Sequence, residues 1–270
     1  MKINHAIKVA APLLLVLACA ALVGAFLDPH PNHDLSRSMA GPSFQHFLGC
    51  DPYGVDLGRR LLVGAWQSVR VALVVTALTI SIGIMVGTTA AFASQRLSTV
   101  ILRLIDMLMA FPGLLLAILL ASIMPHNEAT IIFALSVTRW TGSARFCHAL
   151  VGSTMREAYI EAARANGAST LRLITRHIWP ALTGQVLIQA SLSMSAVILA
   201  EASLSFLGLG GSTNNSSWGK IIAEGREYLI EAPHLSLFPG IIFIASVLAF
   251  TLLAEGLRLR LDRGRIGRLY

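Results

Sequence analysis

Long apolar runs separated by short polar segments dominate the chain, and the strict alternation typical of barrel strands is absent. A helix that crosses a bilayer needs about 20 mostly apolar residues, because its backbone must satisfy its own hydrogen bonds away from water. The pattern therefore predicts an all-α integral membrane protein with six transmembrane helices. The predicted spans are residues 9–27, 69–93, 104–124, 129–150, 184–207 and 237–256.

Composition and charge agree with a membrane environment. Charged residues make up 13% of the chain, about half the share usual in soluble domains, and 55% of the residues are hydrophobic. Most Lys and Arg residues fall in segments on one side of the predicted spans, together with both chain ends. By the positive-inside rule both termini are expected to be cytoplasmic. The net charge of +7 then suits anionic lipid headgroups in the bilayer, and no nucleic-acid partner is predicted.

The spans divide the chain into four regions. Residues 1–27 form an anchor helix, predicted to stay uncleaved although the sequence before Cys19 faintly resembles a lipoprotein cleavage site. Residues 28–68 form a periplasmic loop, in which Leu57, Leu61 and Leu62 are expected to lie along the membrane surface. A five-helix core (69–256) follows, with a cytoplasmic loop at 151–183, and a basic cytoplasmic tail (257–270) ends the chain.

The longest inner connection, residues 151–183, carries the most informative pattern. An alanine-rich helical stretch contains Glu161, Ala162 and Ala163, Gly167 interrupts it, and a second apolar period runs through His177 to Pro180. Small alanines let another protein approach closely, a glutamate offers charge, and glycine permits a sharp angle between two helical pieces. The pattern predicts a helix–glycine–helix module outside the bilayer; an ordinary surface helix with a glycine cap is the alternative.

This module resembles the EAA loop of the membrane subunits of binding-protein-dependent ABC importers. The resemblance extends along almost the whole chain and narrows to the dipeptide, oligopeptide and nickel branch. The residues that carry it are His46 to Asp51 with Gly54 and Asp56, Asp106 to Pro112, Trp140 with Ala144 and Arg145, Tyr159, Ala202 to Gly210, Trp218 to Lys220, Pro239 with Gly240, and Gly256 to Arg258 with Asp262.

The resemblance implies a permease subunit in the bacterial inner membrane, with no enzymatic activity of its own. A homologous permease subunit would complete the translocation pathway for peptides or for nickel or other metal chelates. One or two ATP-binding subunits would dock on the coupling residues Glu161, Ala162, Ala163, Gly167, His177 and Pro180. ATP and Mg²⁺ would bind those subunits, since this chain lacks a GxxxxGK[ST] motif and needs no cofactor, and a periplasmic binding protein would deliver the substrate.

Arg139 is the candidate pathway residue. It lies about ten residues into the fourth predicted span, and a charge at such depth faces the bundle interior or water. It is a candidate to meet anionic groups of the substrate. The alternatives are a structural ion pair with Asp106 or Glu201, or a span that begins later. Asp106 and Glu201 lie near span ends, where a carboxylate can reach water or headgroups, and structural capping is favoured over ion transport.

No catalytic residues and no metal site are predicted. His30, His33, Asp34 and His46 are irregularly spaced in the outer loop, which favours solvated side chains over a metal site. The three cysteines show no metal or redox spacing. Phe111 and Pro112 predict a kink in the third span.

Two other functional classes remain open at this point. An ion-gradient-driven secondary transporter or channel is expected to show inverted repeats and broken helices around a midplane site. A membrane enzyme needs a cluster of catalytic residues near the spans. Neither pattern is visible in the sequence.

Overall fold

The computed structural model describes residues 2–28, 34–210 and 216–266, which contain α-helices, short helical turns and one isolated β-bridge between Cys50 and Asp56. The predicted all-α class is confirmed. The α-helices are α1 (Lys2–Phe26), α2 (Leu57–Phe92), α3 (Gln95–Met109), α4 (Gly113–Ile123), α5 (Glu128–Thr154), α6 (Ala158–Ala165), α7 (Thr170–Arg172), α8 (Trp179–Phe206), α9 (Trp218–Gly225) and α10 (His234–Ile266). The shorter elements are 3₁₀ turns at Leu35–Arg37 and Arg226–Tyr228 and a π-helix at Leu173–Ile178.

Four helical stretches in the described residues are long and apolar enough to cross a membrane: Ala6–Phe26, Leu57–Phe92, Thr170–Phe206 and His234–Leu261. The bent pair α3 and α4 makes a fifth candidate. The predicted count of six is not fully confirmed, because α5 is long enough but carries Glu128, Arg139 and Arg145. Helix α5 packs against α2, α3, α4 and α8. Arg139 bonds to α8 and Glu128 pairs with Arg70 of α2, whereas Arg145 is exposed and pairs with Asp106 of α3.

Helix α2 begins earlier than predicted. Its 36 residues start at Leu57, where the Asp56 carboxylate accepts a 2.8 Å hydrogen bond from the Arg59 backbone N–H. At 1.5 Å per residue the helix is about 54 Å long, well beyond the hydrocarbon core of a bilayer. The expectation that Leu57 and Leu61 lie along the membrane surface is wrong, since both side chains are buried in the main core.

The third predicted span is sharply bent. Helices α3 and α4 meet at 74° across Ala110–Pro112, which confirms the kink expected at Phe111 and Pro112. Pro112 precedes the first residue of α4, so its missing N–H costs no helical hydrogen bond. The bend leaves Phe111 65% exposed.

Close packing of α2 on α5 forms the centre of the bundle. Gly83 and Gly87 are one helical turn apart, and a methyl group on Gly87 would lie 2.5 Å from the Ala144 carbonyl oxygen and 2.8 Å from the Cys147 β-carbon. Small residues at this spacing let two membrane helices approach at backbone distance. The role of Cys147 is thus to fill this crossing, where it is buried.

One end of the bundle contains the described parts of both chain termini and the 151–183 segment. At this end α1 meets α10 at Ile7 and Gly256, and α8 meets α10 at Gly184 and Leu261. The 151–183 segment lies at this same end, because it packs on Phe92 at the end of α2. The described parts of both chain termini therefore share one end with the predicted coupling loop.

The opposite end is closed by a cap, which we define as residues 34–56 together with α9. Arg60 is the buried link between the two parts: its guanidinium lies 2.6 Å from Asp51 in the loop and 2.6 Å from Glu224 in α9. Beside it, the fully buried Trp218 donates a 3.1 Å hydrogen bond to the Leu61 carbonyl. Residues far apart in the sequence thus fix α9 and the loop to the start of α2.

Replacing Asp51 by Asn should destabilise the cap by about 2 kcal/mol, because a charge-assisted hydrogen bond to Arg60 is lost. Thermal unfolding of the detergent-purified protein measures the effect. Asp34→Asn is the matched control from the same loop, since Asp34 is solvent-exposed; its variant should unfold like the parent. Equal melting temperatures for both variants would contradict a stabilising role for Arg60 and Asp51.

Candidate functional site

The segment 158–180, from α6 to Pro180, is named the coupling segment below, and it is anchored by a small hydrophobic cluster separate from the main core. Ile160 of α6 is fully buried in this cluster. The other buried members are Val151, Leu173, Ile178 and Leu182, with Ala91, Phe92, Leu150, Met155, Ala163, Ala168 and Val186 packed around them. Because the anchors come from α2, α5 and α8, movement of the segment is linked to three long helices.

Gly167 ends α6 in a Schellman motif. The Ala168 N–H donates to the Ala163 carbonyl at 3.1 Å, and the Gly167 N–H donates to the Arg164 carbonyl at 2.9 Å. Gly167 has a φ of +80°, a conformation that favours glycine. The predicted break at Gly167 is confirmed, and the glycine sets the angle between the two helical arms.

The second arm differs from the prediction at Pro180. We expected Pro180 to mark a boundary, but the helical stretch Thr170–Phe206 continues through it into the membrane-spanning region. The widened turns of the π-helix Leu173–Ile178 directly precede the proline. A proline ring clashes with the carbonyl four residues earlier, and wider turns relieve that clash. The second arm is therefore continuous with α8.

The outward face of the segment carries a charge and two apolar groups. Glu161 and Ala162 are exposed, whereas Ala163 is half-buried towards the anchoring cluster. Leu171 is 71% exposed and Tyr159 is 46% exposed. Burial, with a smaller effect of the Glu157 carboxylate, raises the pKa of Tyr159, so its phenol is neutral and can donate a hydrogen bond. Exposed apolar groups beside small residues are typical of a docking surface.

His177 and Pro180, which were also predicted as coupling residues, lie outside this face. His177 is half-buried in the π-helix, and Pro180 is exposed at the start of α8. Leu171 belongs to the same apolar period as the buried Leu173 and Ile178, so the sequence pattern gives no indication of its exposure. Its exposure of 71% depends on the rotation of the second arm about its axis, which follows from the Schellman motif at Gly167.

Arg139 lies midway along α5 and points towards α8. Its guanidinium donates a 2.9 Å hydrogen bond to the Ala196 carbonyl. The predicted alternatives of an ion pair with Asp106 or Glu201 are wrong, and Arg139 has no salt bridge within the described residues. Arg139 instead lines two cavities of about 420 and 270 Å³, whose walls come mainly from α5 and α8 with smaller contributions from α3 and α4.

Asp106 and Glu201 have other partners. Asp106 pairs with Arg145 of α5, and both side chains are exposed. Glu201 is 2% exposed, so the expectation that it reaches water or headgroups is wrong. Its carboxyl group accepts hydrogen bonds from Ser68 at 3.0 Å and from Ser205 at 2.8 Å. Glu201 thus joins α2 to α8 inside the bundle.

The outer-loop residues considered for metal binding are only partly described. His30 and His33 lie outside the described residues. His46 bonds to Asp56 at 2.7 Å and to Arg37 at 3.0 Å, while Asp34 accepts from Ser36. The described ranges contain no group of three or more His, Cys, Asp or Glu side chains that suits a metal ion.

Comparison with known proteins decides the family. The sequence matches the binding-protein-dependent transport system inner membrane component family over residues 79–267. This chain belongs to that family. The matched region includes α5, the coupling segment and α8, so the membrane core and the coupling segment both fall within the permease component of an ABC importer.

Curated relatives place the permease in the peptide branch. A peptide transport system permease protein of Brucella abortus is 37% identical over 261 residues, which cover 96% of this chain and 88% of the relative. A glutathione transport system permease protein of Pectobacterium atrosepticum is 34% identical over 266 residues, covering 96% and 87%. These relatives support an importer permease over the ion-gradient alternative.

A solved structure supports the fold of the permease. The inward-facing MetNI methionine ABC transporter aligns with a TM-score of 0.57 and 17% identity, over 74% of this chain and 94% of the solved chain. At this identity the likeness concerns the arrangement of helices alone.

Proposed function

We propose that this chain forms one half of the translocation pathway of an ATP-driven peptide importer and receives force from an ATPase through its coupling segment. The observation that carries the proposal is the bent, outward-facing segment around Gly167, which is anchored to α2, α5 and α8. A segment packed on three long helices can convert a push at its surface into a rigid-body movement of the bundle.

Each coupling residue has a physical role in this proposal. Glu161 presents a charge to a cationic group of the ATPase, Ala162 leaves room for close approach, and Ala163 packs towards the anchoring cluster. Gly167 holds the angle between the arms. His177 and Pro180 keep the second arm in line with α8, so force reaches the membrane directly.

The partners follow from the same mechanism. A homologous permease would supply the opposite wall of the pathway, and one or two ATP-binding subunits would carry ATP and Mg²⁺. A periplasmic binding protein would dock on the cap. This chain itself would contribute no catalytic residue and no cofactor, so purified permease alone should not hydrolyse ATP.

Orientation and substrate complete the proposal. Both termini and the coupling segment share one end of the bundle, and the excess of Lys and Arg near that end supports a cytoplasmic location for it by the positive-inside rule. The peptide and glutathione transport of the relatives supports a small peptide as substrate. Arg139, which lines cavities inside the bundle, is the proposed pathway residue.

Reconstitution tests the proposed function. Proteoliposomes are prepared with this permease, its homologous partner and the ATPase subunits, and the binding protein and a labelled tripeptide are added outside. They should accumulate the tripeptide only when ATP is enclosed in the lumen with the ATPase subunits. A protonophore should leave uptake unchanged. Uptake that persists without ATP and stops with the protonophore would contradict the proposal and favour an ion-gradient transporter.

A further inference from the structure

An apolar groove of about 570 Å³ lies at the cap end of the bundle, between the end of α1, the start of α2 and the first part of α10. Loop residues of the cap form its rim. Its apolar walls include Val23, Leu27, Phe47, Leu62 and Ile242. A space of this volume is large enough to hold a small-molecule group.

The groove faces lipid and is separate from the Arg139 cavities. Helix α1 packs mainly on α2 and α10, whereas the walls of the Arg139 cavities come mainly from α5 and α8. Only 22% of the most apolar stretch of α1 is buried within the protein, and the share in α10 is the same. Both spans therefore turn most of their surface to lipid, and the groove lies beside that surface.

A close crossing of α1 and α2 explains why the groove is present. A β-carbon on Gly24 would lie 1.9 Å from the Leu62 carbonyl oxygen, so the two backbones are in contact there. At 1.5 Å per residue, α1 ends about 3 Å beyond Gly24, whereas α2 extends about 8 Å beyond Leu62 to its start at Leu57. Helix α1 therefore stops below the first turn of α2 and leaves the side of that turn uncovered.

Arg59 lies in this uncovered turn and lines the groove. Among the described residues its buried Nε has no hydrogen-bond partner and its guanidinium forms no salt bridge. One terminal nitrogen donates a long bond of 3.3 Å to the Asp28 carbonyl. Arginine has five N–H donors in a planar fork that matches phosphate, so Arg59 keeps donors for an anion.

The carboxylate in the same groove does not compete for these donors. Asp56 accepts a 2.8 Å hydrogen bond from the Arg59 backbone N–H, and its other oxygen lies 2.7 Å from His46. Both Asp56 oxygens are thus engaged with the cap and with the start of α2. The side-chain charge that faces the groove without a salt bridge is that of Arg59.

Aromatic rings of the cap extend the apolar surface around the groove. Phe47 is 78% exposed although it lines the groove, and Phe44, three residues earlier, is 98% exposed. Exposed apolar side chains that lie together mark contact with a membrane or a partner. Beside two lipid-facing spans this surface suits an acyl chain, because contact with the chain removes the rings from water.

We propose that the groove binds one glycerophospholipid of the leaflet on the cap side. Arg59 pairs with the phosphate, and the first part of one acyl chain lies between Val23, Leu62 and Ile242, beside the Phe47 ring. The cation in the first turn of α2 lies above these apolar walls, which matches the order of phosphate and hydrocarbon in a lipid. The bound lipid fastens the cap to the membrane surface.

Photolabelling tests the proposal on the complete transporter in proteoliposomes. The probe is phosphatidylglycerol with a photoreactive diazirine near the ester end of one acyl chain, added as a minor fraction of the lipid. Cleavage after arginine releases residues 61–70 and 71–96 as separate peptides, and mass spectrometry measures the probe on each. Residues 61–70 include Leu62 and none that is exposed, whereas 71–96 includes exposed apolar residues that contact ordinary bilayer lipid. The ratio of the two yields therefore reports on the groove.

The probe should attach to residues 61–70 in the parent, and Arg59→Gln should lower the ratio about ten-fold, because the phosphate loses its partner. Arg59→Lys should retain most of the ratio, since the charge remains. Arg226→Gln is the matched control and should leave the ratio unchanged. The Arg226 guanidinium lies 5.3 Å from the Phe206 ring at the same end of the bundle and does not line the groove.

Two further ligands separate a lipid from a free anion. A diacylglycerol probe with the same chain but no phosphate should give the low ratio of Arg59→Gln, and excess inorganic phosphate should not displace the phospholipid probe. Displacement by inorganic phosphate would indicate a site for soluble anions and overturn the lipid assignment. Equal ratios in the parent and Arg59→Gln would overturn the role of Arg59.

Absence of probe from residues 61–70 in the parent would show that another group covers the groove, and it would overturn the proposal as a whole. The labelling requires no transport. Loss of ATP-dependent tripeptide uptake would therefore refute the proposed function without affecting this test.

Discussion

Uptake should fall at least about ten-fold in transporters that carry Glu161→Lys or Gly167→Val, while ATP hydrolysis by the complex continues. The first change reverses the exposed charge of α6. The second places a β-branched residue at a φ of +80°, which such side chains rarely adopt, so the angle between the two arms changes. The measurement is the ratio of tripeptide transported to ATP hydrolysed in proteoliposomes.

Gly208 provides a matched control for the glycine change. It has a φ of +81°, ends α8 in the same hydrogen-bond pattern, and like Gly167 has no atom within 4 Å of an added β-carbon. Gly208→Val therefore imposes the same local strain at the opposite end of the bundle and should leave the transport ratio near that of the parent. Equal loss of coupling in both glycine variants would show that strain, and not the coupling segment, is responsible.

Gly87→Leu should strongly destabilise the permease. Its side chain would meet the Ala144 carbonyl oxygen and the His148 backbone nitrogen, and neither backbone atom can move away without separating α2 from α5. Overpacking of a tight interior costs about 3 kcal/mol or more when backbone has to shift. Denaturation of purified protein in increasing dodecyl sulfate, followed by loss of helical circular dichroism, measures the change.

Gly152→Ala is the control for this substitution. Gly152 also lies within a helix, α5, but a β-carbon there meets nothing within 4 Å. Alanine should leave stability unchanged or raise it by up to about 1 kcal/mol, since it is the better helix former. If Gly87→Leu unfolded at the same denaturant concentration as Gly152→Ala, close approach of α2 and α5 would not be important for the fold.

Local patterns in the sequence were sufficient for the helical class, the kink at Pro112 and the break at Gly167. Each depends on a residue whose backbone preference acts within one or two turns. A span at 129–150 was predicted and α5 covers it, but Glu128, Arg139 and Arg145 lower its hydropathy, so its crossing of the membrane is not fully confirmed. The early start of α2 was missed because Arg59 and Arg60 resemble a polar loop until Asp51 and Glu224 are seen around Arg60.

Long-range contacts could not be predicted from the sequence, because their partners lie far apart in the chain. The partner of Arg139 is a backbone carbonyl of α8, and no side-chain pattern indicates a carbonyl. The cavities that Arg139 lines are formed by residues from several helices that lie far apart in the sequence, so the sequence does not indicate them. Residues in the coupling segment were easier to identify, since they lie close together in the chain and project from the bundle.

Helix α2 runs without interruption from the cap to the coupling segment. Its first turns hold the cap through Arg60 and Trp218, and its last residues, Ala91 and Phe92, pack under the coupling segment. Thermodynamic reciprocity then applies: if nucleotide at one surface changes the affinity for the binding protein at the other, the binding protein must change nucleotide affinity by the same factor. A variant that bends α2 should therefore change both coupling effects by the same factor.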